Sequence, residues 1–487
     1  MLETVELGRV TTKEEYAEKE PVLRVGLLTV QYELRESDFP VMIVLGGDDV
    51  SGCSEVLNLL HEWMDPRYLE ANVYEERTQE EAERPLFWRY WRALPPAGRI
   101  GLFAREWTHR AVVERAVGNI DEVELDRRLR HIRSFERTLT DNGTLILKLW
   151  LHAPRKQIER SLGRRARGET AVVLRHYKRF RGVSERVLAR TSHEGAIWNL
   201  VESTDPRYRN VTVVQMIIST LAKRLGESPR QRPRPPRLPT GPSPITVLDR
   251  VDLTKRLEKD AYERKLHRYW RKLAGLSQRA HELGVSGVLA FEGWDAAGKG
   301  GAIRRITKPM DAAYYRVVPI AAPTDEERLH HYLWRFWRML PRAGHVVIFD
   351  RSWYGRVLVE RLEGLASERE WSRAYAEIND FEEQLGERGI LLLKFWLHVS
   401  SEEQLRRFKA REKVPFKKYK ISADDYRNRE KWIAYEEAAD EMIRRTSTVR
   451  APWHLVAADD KRWARVEVLK TLCRQMAKAL RARGSKK

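Results

Sequence analysis

Residues 287–307 read GVLAFEGWDAAGKGGAIRRIT, and this stretch decides the fold. Its first four residues form a short apolar run that predicts a buried strand, and residues 302–307 have the pattern of a helix. The turn between them contains a GxxxxGK motif. Glycines in such a turn let backbone N–H groups converge on phosphate oxygens at a helix N-terminus, where a lysine adds a point charge. The sequence therefore predicts a phosphate-binding loop that contains Gly293, Gly298, Lys299, Gly300 and Gly301.

Four further apolar runs follow the loop, and helical stretches separate them. They are residues 316–320, 345–349, 390–397 and 453–456. Runs that are apolar on both faces and alternate with helices predict a parallel sheet that is covered by helices on both sides. We expect an α/β fold in three layers.

The first half of the chain repeats the second. A shift of 246 positions aligns WRYWRALP (88–95) with WRFWRMLP (334–341), and FAREWTHR (103–110) with FDRSWYGR (349–356). Between the halves, residues 227–246 read ESPRQRPRPPRLPTGPSPIT, whose prolines favour an extended linker. We therefore predict a tandem duplication of one α/β domain, with domains at 1–226 and 247–487 joined by that linker.

Composition narrows the class of protein. The chain has 487 residues, of which 42% are hydrophobic, and a formal net charge of +20. This content excludes a fully disordered chain, and the absence of long apolar runs and of a signal-like N-terminus predicts a soluble, cytoplasmic protein without a membrane partner. The two cysteines, Cys53 and Cys473, exclude a disulfide framework. The excess of positive charge favours a polyanionic partner.

Two aspartates complete the predicted site. Gly300 stands where phosphate-binding loops of this type usually carry a serine or threonine that binds Mg²⁺, so another group must hold the metal. Asp295 inside the loop and Asp350 at the end of the run 345–349 are the candidates. Mg²⁺ is the expected ion, with Mn²⁺ as its substitute. Arg351 and Arg356 follow directly, and their guanidinium groups suit phosphate oxygens.

A basic segment follows the fourth strand. Residues 401–431 read SEEQLRRFKAREKVPFKKYKISADDYRNREK, at the position where kinases with this loop carry a helical lid. We expect a lid at about residues 400–435. Its positive charges are too many for one phosphoryl group and suit a long anionic chain; they are Arg406, Arg407, Arg411, Lys413, Lys417, Lys418 and Lys420.

These motifs together resemble the family-2 polyphosphate kinases over almost the whole second half. The duplicated architecture is similar to the two-domain members of that family, in which AMP is the acceptor. The resemblance implies a kinase core related to thymidylate kinase, Mg²⁺ dependence, and transfer of a terminal phosphoryl group from inorganic polyphosphate to a nucleotide. It also implies phosphate contacts at Lys299, Arg351 and Arg356, catalytic or metal-binding carboxylates at Asp295 and Asp350, and polyphosphate contacts on the lid.

The first half has lost part of this set. Cys53 replaces the lysine and Ala104 replaces the second aspartate, whereas Arg105 and Arg110 are retained. The offset of the shared Arg-Thr-Ser grows from 246 to 255, so the first lid is nine residues shorter. Because a lysine and a metal supply much of the stabilisation in phosphoryl transfer, we expect no catalysis there. Two roles stay open: a structural partner that forms an internal pseudo-dimer, or an auxiliary phosphate site with residues 164–167.

Two other functions fit part of the sequence. An ATP-dependent nucleotide kinase of the thymidylate type would need only the loop, but the lid favours a polymeric donor. A non-catalytic polyphosphate- or nucleic-acid-binding protein would explain the net charge but not two aspartates beside Lys299, because carboxylates in a polyanion groove are costly without a metal. We therefore expect polyphosphate and nucleotide substrates and no nucleic acid. The acceptor base, the direction of the reaction and the oligomeric state, a homo-oligomer included, stay open.

Overall fold

The computed structural model describes residues 1–47, 52–162, 168–227, 245–413 and 429–484. Most of the predicted linker 227–246 therefore lies outside the described residues. Each half contains one five-stranded sheet in which every neighbouring pair is parallel. Both sheets have the same strand order, so the predicted α/β class and the repeat of one fold are confirmed.

The sheet of the first half has the order β2-β3-β1-β4-β5. Its strands are β1 (Val41–Gly47), β2 (Leu69–Val73), β3 (Ile100–Ala104), β4 (Leu145–His152) and β5 (Trp198–Glu202). The α-helices of this half are Lys13–Leu34, Cys53–Trp63, Gln79–Ala82, Trp88–Arg92, Trp107–Val117, Glu122–Asp141, Arg155–Leu162, Gly168–Arg175, Tyr177–Thr191 and Pro206–Leu225. Short 3-10 helices lie at Leu2–Val5 and Pro66–Tyr68.

The sheet of the second half has the corresponding order β7-β8-β6-β9-β10. Its strands are β6 (Gly287–Gly293), β7 (Tyr315–Pro319), β8 (Val346–Asp350), β9 (Leu391–His398) and β10 (Trp453–Ala457). The α-helices are Lys259–Glu282, Lys299–Thr307, Asp325–Arg328, Trp334–Arg338, Val359–Leu362, Glu368–Glu387, Ser401–Glu412, Trp432–Thr446 and Lys461–Gly484. Three 3-10 helices are Leu248–Arg250, Ala312–Tyr314 and Trp353–Val357.

Both faces of each sheet are covered. Successive residues of a strand point to opposite faces. In the first half, Leu102 belongs to an apolar core that includes residues from the helices Lys13–Leu34 and Pro206–Leu225. Its neighbour Phe103 instead contacts Trp107, with ring centroids 5.7 Å apart. In the second half Phe349 contacts Trp353 in the same way, at 5.6 Å. The expected three layers of helix, sheet and helix are therefore present.

Glycine is required where the central strand ends. Gly293 has φ +132°, and a Cβ atom there would lie 2.3 Å from the carbonyl oxygen of Leu397. In the first half Gly47 has φ +129°, and its Cβ would lie 2.4 Å from the oxygen of Leu151. Only glycine allows this approach of β6 to β9, and of β1 to β4, at the start of the loop. The first half has kept this backbone although Cys53 stands at its counterpart of the Lys299 position.

The chain forms two compact units, and each unit contains a short segment from the other half of the sequence. Unit one comprises Met1–Arg77, Arg89–Gln231 and Thr324–Trp334, and unit two comprises Thr78–Trp88, Arg232–Pro323 and Arg335–Lys487. Within unit two, Arg84 Nε donates to the oxygen of Leu340 at 3.2 Å. Within unit one, the Ala97 nitrogen donates to the oxygen of Leu329 at 3.0 Å. Each unit therefore includes a piece from the other half.

In the part of the chain that the structure describes, no helix combines the length and the apolar character needed to cross a membrane.

Candidate active site

The predicted phosphate-binding loop joins β6 to the helix Lys299–Thr307. Gly298 ends the loop with φ +108°, a left-handed conformation that glycine adopts without strain. The helix begins at Lys299, three residues earlier than the sequence pattern indicated. Its first amides and the positive end of its dipole therefore lie at the carboxyl end of the sheet.

Lys299 is buried inside this loop. Its side chain is 9% exposed, and Nζ donates to the oxygens of Gly293 at 2.7 Å and Trp294 at 3.1 Å. Burial lowers the pKa of the ammonium group and the Arg351 cation lowers it further, whereas Asp295, Asp350 and Glu292 act against this shift. An incoming phosphate would act in the same direction as these carboxylates and favour the charged lysine.

Asp350 faces the position where a hydroxyl ligand is missing. It is the last residue of β8, the neighbour of β6 in the sheet, and is paired with Phe291. Its Oδ2 atom lies 3.8 Å from the point where a Cβ on Gly300 would stand. A carboxylate therefore reaches the site that a serine or threonine side chain would occupy in an ordinary loop of this type.

Arg351 and Asp295 form an ion pair across the mouth of the loop, with Nη2 and Oδ1 2.5 Å apart. Arg351 follows β8 with φ +64°, and its nitrogen donates to the oxygen of Phe291 at 3.0 Å. A positive φ in a non-glycine residue is strained, and such strain is concentrated at functional positions. The backbone here turns the guanidinium group toward the loop.

Arg356 lies in the short helix that follows Arg351. It belongs to the 3-10 helix Trp353–Val357, and its Nε lies 3.1 Å from Oε2 of Glu360. The structure brings Lys299, Asp295, Asp350 and Arg351 together in one cluster. The described ion pair of Arg356 is with Glu360, on the helix Val359–Leu362 that follows.

Glu292 is a buried carboxylate that sequence reasoning missed. It is the penultimate residue of β6, is 2% exposed, and accepts a hydrogen bond from Ser352 Oγ at 2.8 Å. Burial raises the pKa of this carboxyl group, while Arg351, Lys299 and Ser352 lower it. The available signal was a single acidic residue inside an otherwise apolar strand.

A pair of stacked tryptophans was also missed. The rings of Trp294, inside the loop, and Trp432 are parallel within 2°, with centroids 3.6 Å apart. Trp294 Nε1 donates to Nδ1 of His398 at 3.0 Å. Burial lowers the pKa of His398 to about 4, so the imidazole is neutral at pH 7 and can accept this bond. The loop is thereby fixed from two sides.

Arg407 has a different position from the one that the basic pattern of the lid indicated. It is 2% exposed. Its guanidinium group donates to main-chain oxygens, which are those of Ala296 and Ala297 at 3.0 Å, Ala458 at 2.5 Å and Asp459 at 2.9 Å. Gln404, one turn earlier, donates to the oxygen of Asp295 at 3.2 Å. The first helix of the lid segment, Ser401–Glu412, therefore braces the phosphate-binding loop.

Of the other residues predicted for the lid, some are described by the structure and some lie outside the described residues. Arg406 is exposed and bonds to Glu403, and Arg411 and Lys413 lie at the end of the same helix. Lys417, Lys418 and Lys420 lie outside the described residues, as does the cluster 164–167 of the first half. Polyphosphate binding by these residues stays a prediction.

Among the described residues of the first half, the counterparts of Lys299 and Asp350 are Cys53 and Ala104. Cys53 begins its helix, and its Sγ lies 3.6 Å from the oxygen of Gly46, the residue that corresponds to Glu292. A Cβ on Gly46 would lie 2.6 Å from the Trp150 ring, so an indole occupies this space. Arg105 keeps the strained backbone of Arg351, with φ +50°. The described geometry offers no lysine at the position of Lys299 for phosphoryl transfer.

The second-half cluster combines amides at a helix N-terminus, two cations and two carboxylates around one loop. Such an arrangement can hold a phosphate chain, neutralise charge that develops on a transferred phosphoryl group, and bind a divalent cation between carboxylate and phosphate oxygens. Its parts are Lys299, Arg351, Asp295 and Asp350.

Known proteins match the whole chain. The Polyphosphate kinase 2 family matches residues 10–229 and 256–484, which are the two repeats. A polyphosphate:AMP phosphotransferase from Pseudomonas aeruginosa is 45% identical over 97% of this chain and 98% of that protein. The enzyme of the same name from Pseudomonas syringae pv. tomato is 42% identical over the full length of both chains.

A solved structure agrees with these sequence matches. A crystal structure from Pseudomonas aeruginosa, named for polyphosphate kinase 2, has a TM-score of 0.90 and 44% identity and covers 99% of this chain and 100% of its own. The fold is thus shared along almost the entire length of the two chains. The chain belongs to the polyphosphate kinase 2 family.

Proposed function

We propose that this protein transfers the terminal phosphoryl group of inorganic polyphosphate to AMP and forms ADP. The observation that carries the proposal is the cluster around the loop, where Lys299, Arg351, Asp295 and Asp350 meet. The full-length relatives named polyphosphate:AMP phosphotransferases support the acceptor. The basic helix with Arg406, Arg411 and Lys413 supports a polymeric donor.

The reaction requires positioning and neutralisation of charge more than proton transfer. An oxygen of the AMP phosphate attacks the terminal phosphorus of the chain, and the bond from that phosphorus to the bridging oxygen breaks. The electron pair of that bond leaves on the shortened polyphosphate. Lys299, the loop amides and Arg351 counter the negative charge that builds up on the transferred group. Asp295 holds Arg351 in the orientation that this role needs.

The residues present fit a divalent cation, and Mg²⁺ is the ion that we propose. Asp350 Oδ2 reaches the space beside Gly300, and carboxylate oxygens are the ligands that Mg²⁺ prefers. Among the described residues no group of three or more acidic, histidine or cysteine side chains could hold a metal. Asp350 and Asp295 would therefore share the ion with phosphate oxygens. When bound, it would stabilise charge on the phosphoryl oxygens.

An acceptor and donor panel tests this function. The purified chain is incubated with AMP, GMP, ADP or GDP, with polyphosphate or ATP as the donor, and product nucleotides are separated by chromatography. We expect ADP from AMP and polyphosphate without any ATP, and no product in excess chelator. Lys299→Ala and Asp350→Asn should each lower kcat by about 10²-fold or more. Product with ATP alone would refute the proposed donor.

A further inference from the structure

A cavity of about 530 Å³ opens in the first half at the carboxyl ends of β2 and β3. Its lining includes Tyr74, Glu75, Glu76, Arg89, Arg105 and Arg110. In open parallel sheets this edge is where ligands bind, and the volume is that of a pocket for a small molecule. Every lining residue belongs to unit one.

Two of the three arginines, Arg89 and Arg110, have guanidinium groups that are held by described contacts. Arg89 Nη1 donates to the oxygen of Glu75 at 3.2 Å, and its guanidinium carbon lies 4.7 Å from the centre of the Tyr74 ring. Arg110 pairs with Glu114, which also binds Arg128 at 2.7 Å. Arg105 keeps a left-handed backbone with φ +50°. Guanidinium groups that are fixed in this way suit the oxygens of a phosphate group.

The carboxylates restrict the ligand. Glu75 and Glu76 correspond to Ala321 and Ala322 in the second half, so the first half has added two negative charges at this edge. Like charges raise the energy of a bound polyanion. A long phosphate chain therefore fits this pocket poorly, whereas a ligand with a single phosphate can meet the arginines and keep away from the glutamates.

The aromatic wall indicates the rest of the ligand. Tyr74 stands where the second half has Ile320, and its ring contacts that of Tyr90 edge to face, with centroids 4.6 Å apart. Arg89 lies over the Tyr74 ring, and a nucleobase can pack against such a pair of an aromatic ring and a guanidinium group. Asn119, which replaces Leu365, adds an amide that can donate to and accept from a base or a ribose.

We propose that this pocket is a second, non-catalytic site that binds a nucleoside monophosphate. The arginines bind its phosphate, the tyrosine wall receives its base, and the glutamates exclude longer phosphate chains. Cys53 and Ala104 stand in place of the lysine and aspartate, so the nucleotide bound here is not phosphorylated. The site is separate from the acceptor site of the second half.

Matched glycine variants of the full-length chain test the proposal. Equilibrium dialysis with labelled AMP, in the absence of a phosphate donor, measures the number of nucleotides bound per chain. Arg105→Gly and Arg351→Gly each remove one guanidinium group at a positive φ that glycine tolerates, so neither should disturb the backbone. Circular dichroism and thermal unfolding check the fold of both.

We expect two AMP molecules per parent chain, and one tight site in each variant because the other weakens at least about tenfold. The single site left in Arg351→Gly is the one proposed here, and this result stands whatever the acceptor of the second half proves to be. One AMP per parent chain that is lost in Arg351→Gly, or an unchanged stoichiometry in Arg105→Gly, would overturn the proposal.

Competition in the Arg351→Gly protein identifies the ligand class. Inorganic phosphate and tripolyphosphate should displace labelled AMP at least about tenfold less well than AMP itself. The double variant Glu75→Ala, Glu76→Ala, built on Arg351→Gly, should bind tripolyphosphate more tightly, because it restores the residues of the second half. Equal displacement by phosphate, or stronger displacement by tripolyphosphate before these changes, would mean a plain anion site and overturn the proposal.

Discussion

Two neighbouring arginines of the helix Ser401–Glu412 should differ sharply when each is replaced by methionine. Arg407 is buried and binds four main-chain oxygens, of which two belong to the phosphate-binding loop. Arg406 has a side chain that is 69% exposed and pairs only with Glu403 in the described contacts. Methionine keeps much of the aliphatic length of arginine but cannot donate a hydrogen bond.

The expected effect of Arg407→Met follows from these contacts. Breaking a buried, charged network of this kind costs about 3–5 kcal/mol. Two of the four oxygens are those of Ala296 and Ala297, so about half of this, or about 2 kcal/mol, acts on the geometry of the loop. At about 1.4 kcal/mol per tenfold in rate, kcat should fall by about 30-fold.

Steady-state formation of ADP, with polyphosphate and AMP varied in turn, measures both variants. Arg407→Met should lose kcat and melt at a lower temperature, with little change in the KM for polyphosphate. Arg406→Met should melt like the parent and, since its charge faces solvent, change only the KM for polyphosphate. A parental kcat with a raised polyphosphate KM in Arg407→Met would show that this residue contacts the chain, and the assignment as a brace would be wrong.

Three further variants test other parts of the chain. Burial raises the pKa of Glu106 to about 7, against 4.5 for an exposed carboxyl. Between pH 4.5 and pH 7 the folded protein therefore holds a proton that the unfolded chain has released. The free energy of unfolding should fall by up to about 3 kcal/mol as the pH rises across that range. Glu106→Gln should flatten this part of the pH profile in chemical denaturation, and an unchanged slope would contradict the shift. Cys53→Lys in a Lys299→Ala background should gain no ADP formation, because Ala104 still lacks a carboxylate; measurable turnover would show a working first site. Charge reversal at Lys417 and Lys418 should raise the KM for polyphosphate much more than that for AMP, most strongly at low salt, and equal effects would argue against a lid that binds the chain.

The loop, the sheet and the repeat could be predicted because each has a local signature. The GxxxxGK motif lies between a strand and a helix, and Asp350 ends a strand, so topology brings them to the same edge of the sheet. Arg406 and Arg407 show the limit of that reasoning. Adjacent residues of a helix point about 100° apart, and only the packing of the helix decides which one is buried.

The other surprises depend on contacts between distant residues. Trp294 and Trp432 are 138 positions apart, and no spacing rule predicts that they stack. In the sequence, Glu292 is simply one polar residue in an apolar strand. In the structure, it is buried near Lys299 and raises the pKa of that lysine. The cavity of the first half had a usable signal, since Glu75 and Glu76 differ from their counterparts in the second half.

Because each compact unit contains a segment from the other half, the first half has a structural reason to persist even if, as we expect, it is not catalytic. Unit two includes Thr78–Trp88, so cutting the gene at the linker would give two products, neither of which contains all the residues of one unit. After the duplication, a deletion of the first copy would therefore also remove a part of the catalytic unit. We therefore expect selection for activity in unit two to preserve the reading frame and the scaffold of the first half. The residues at its loop can then change, as Cys53 and Ala104 illustrate, while its deletion would still remove Thr78–Trp88 from unit two.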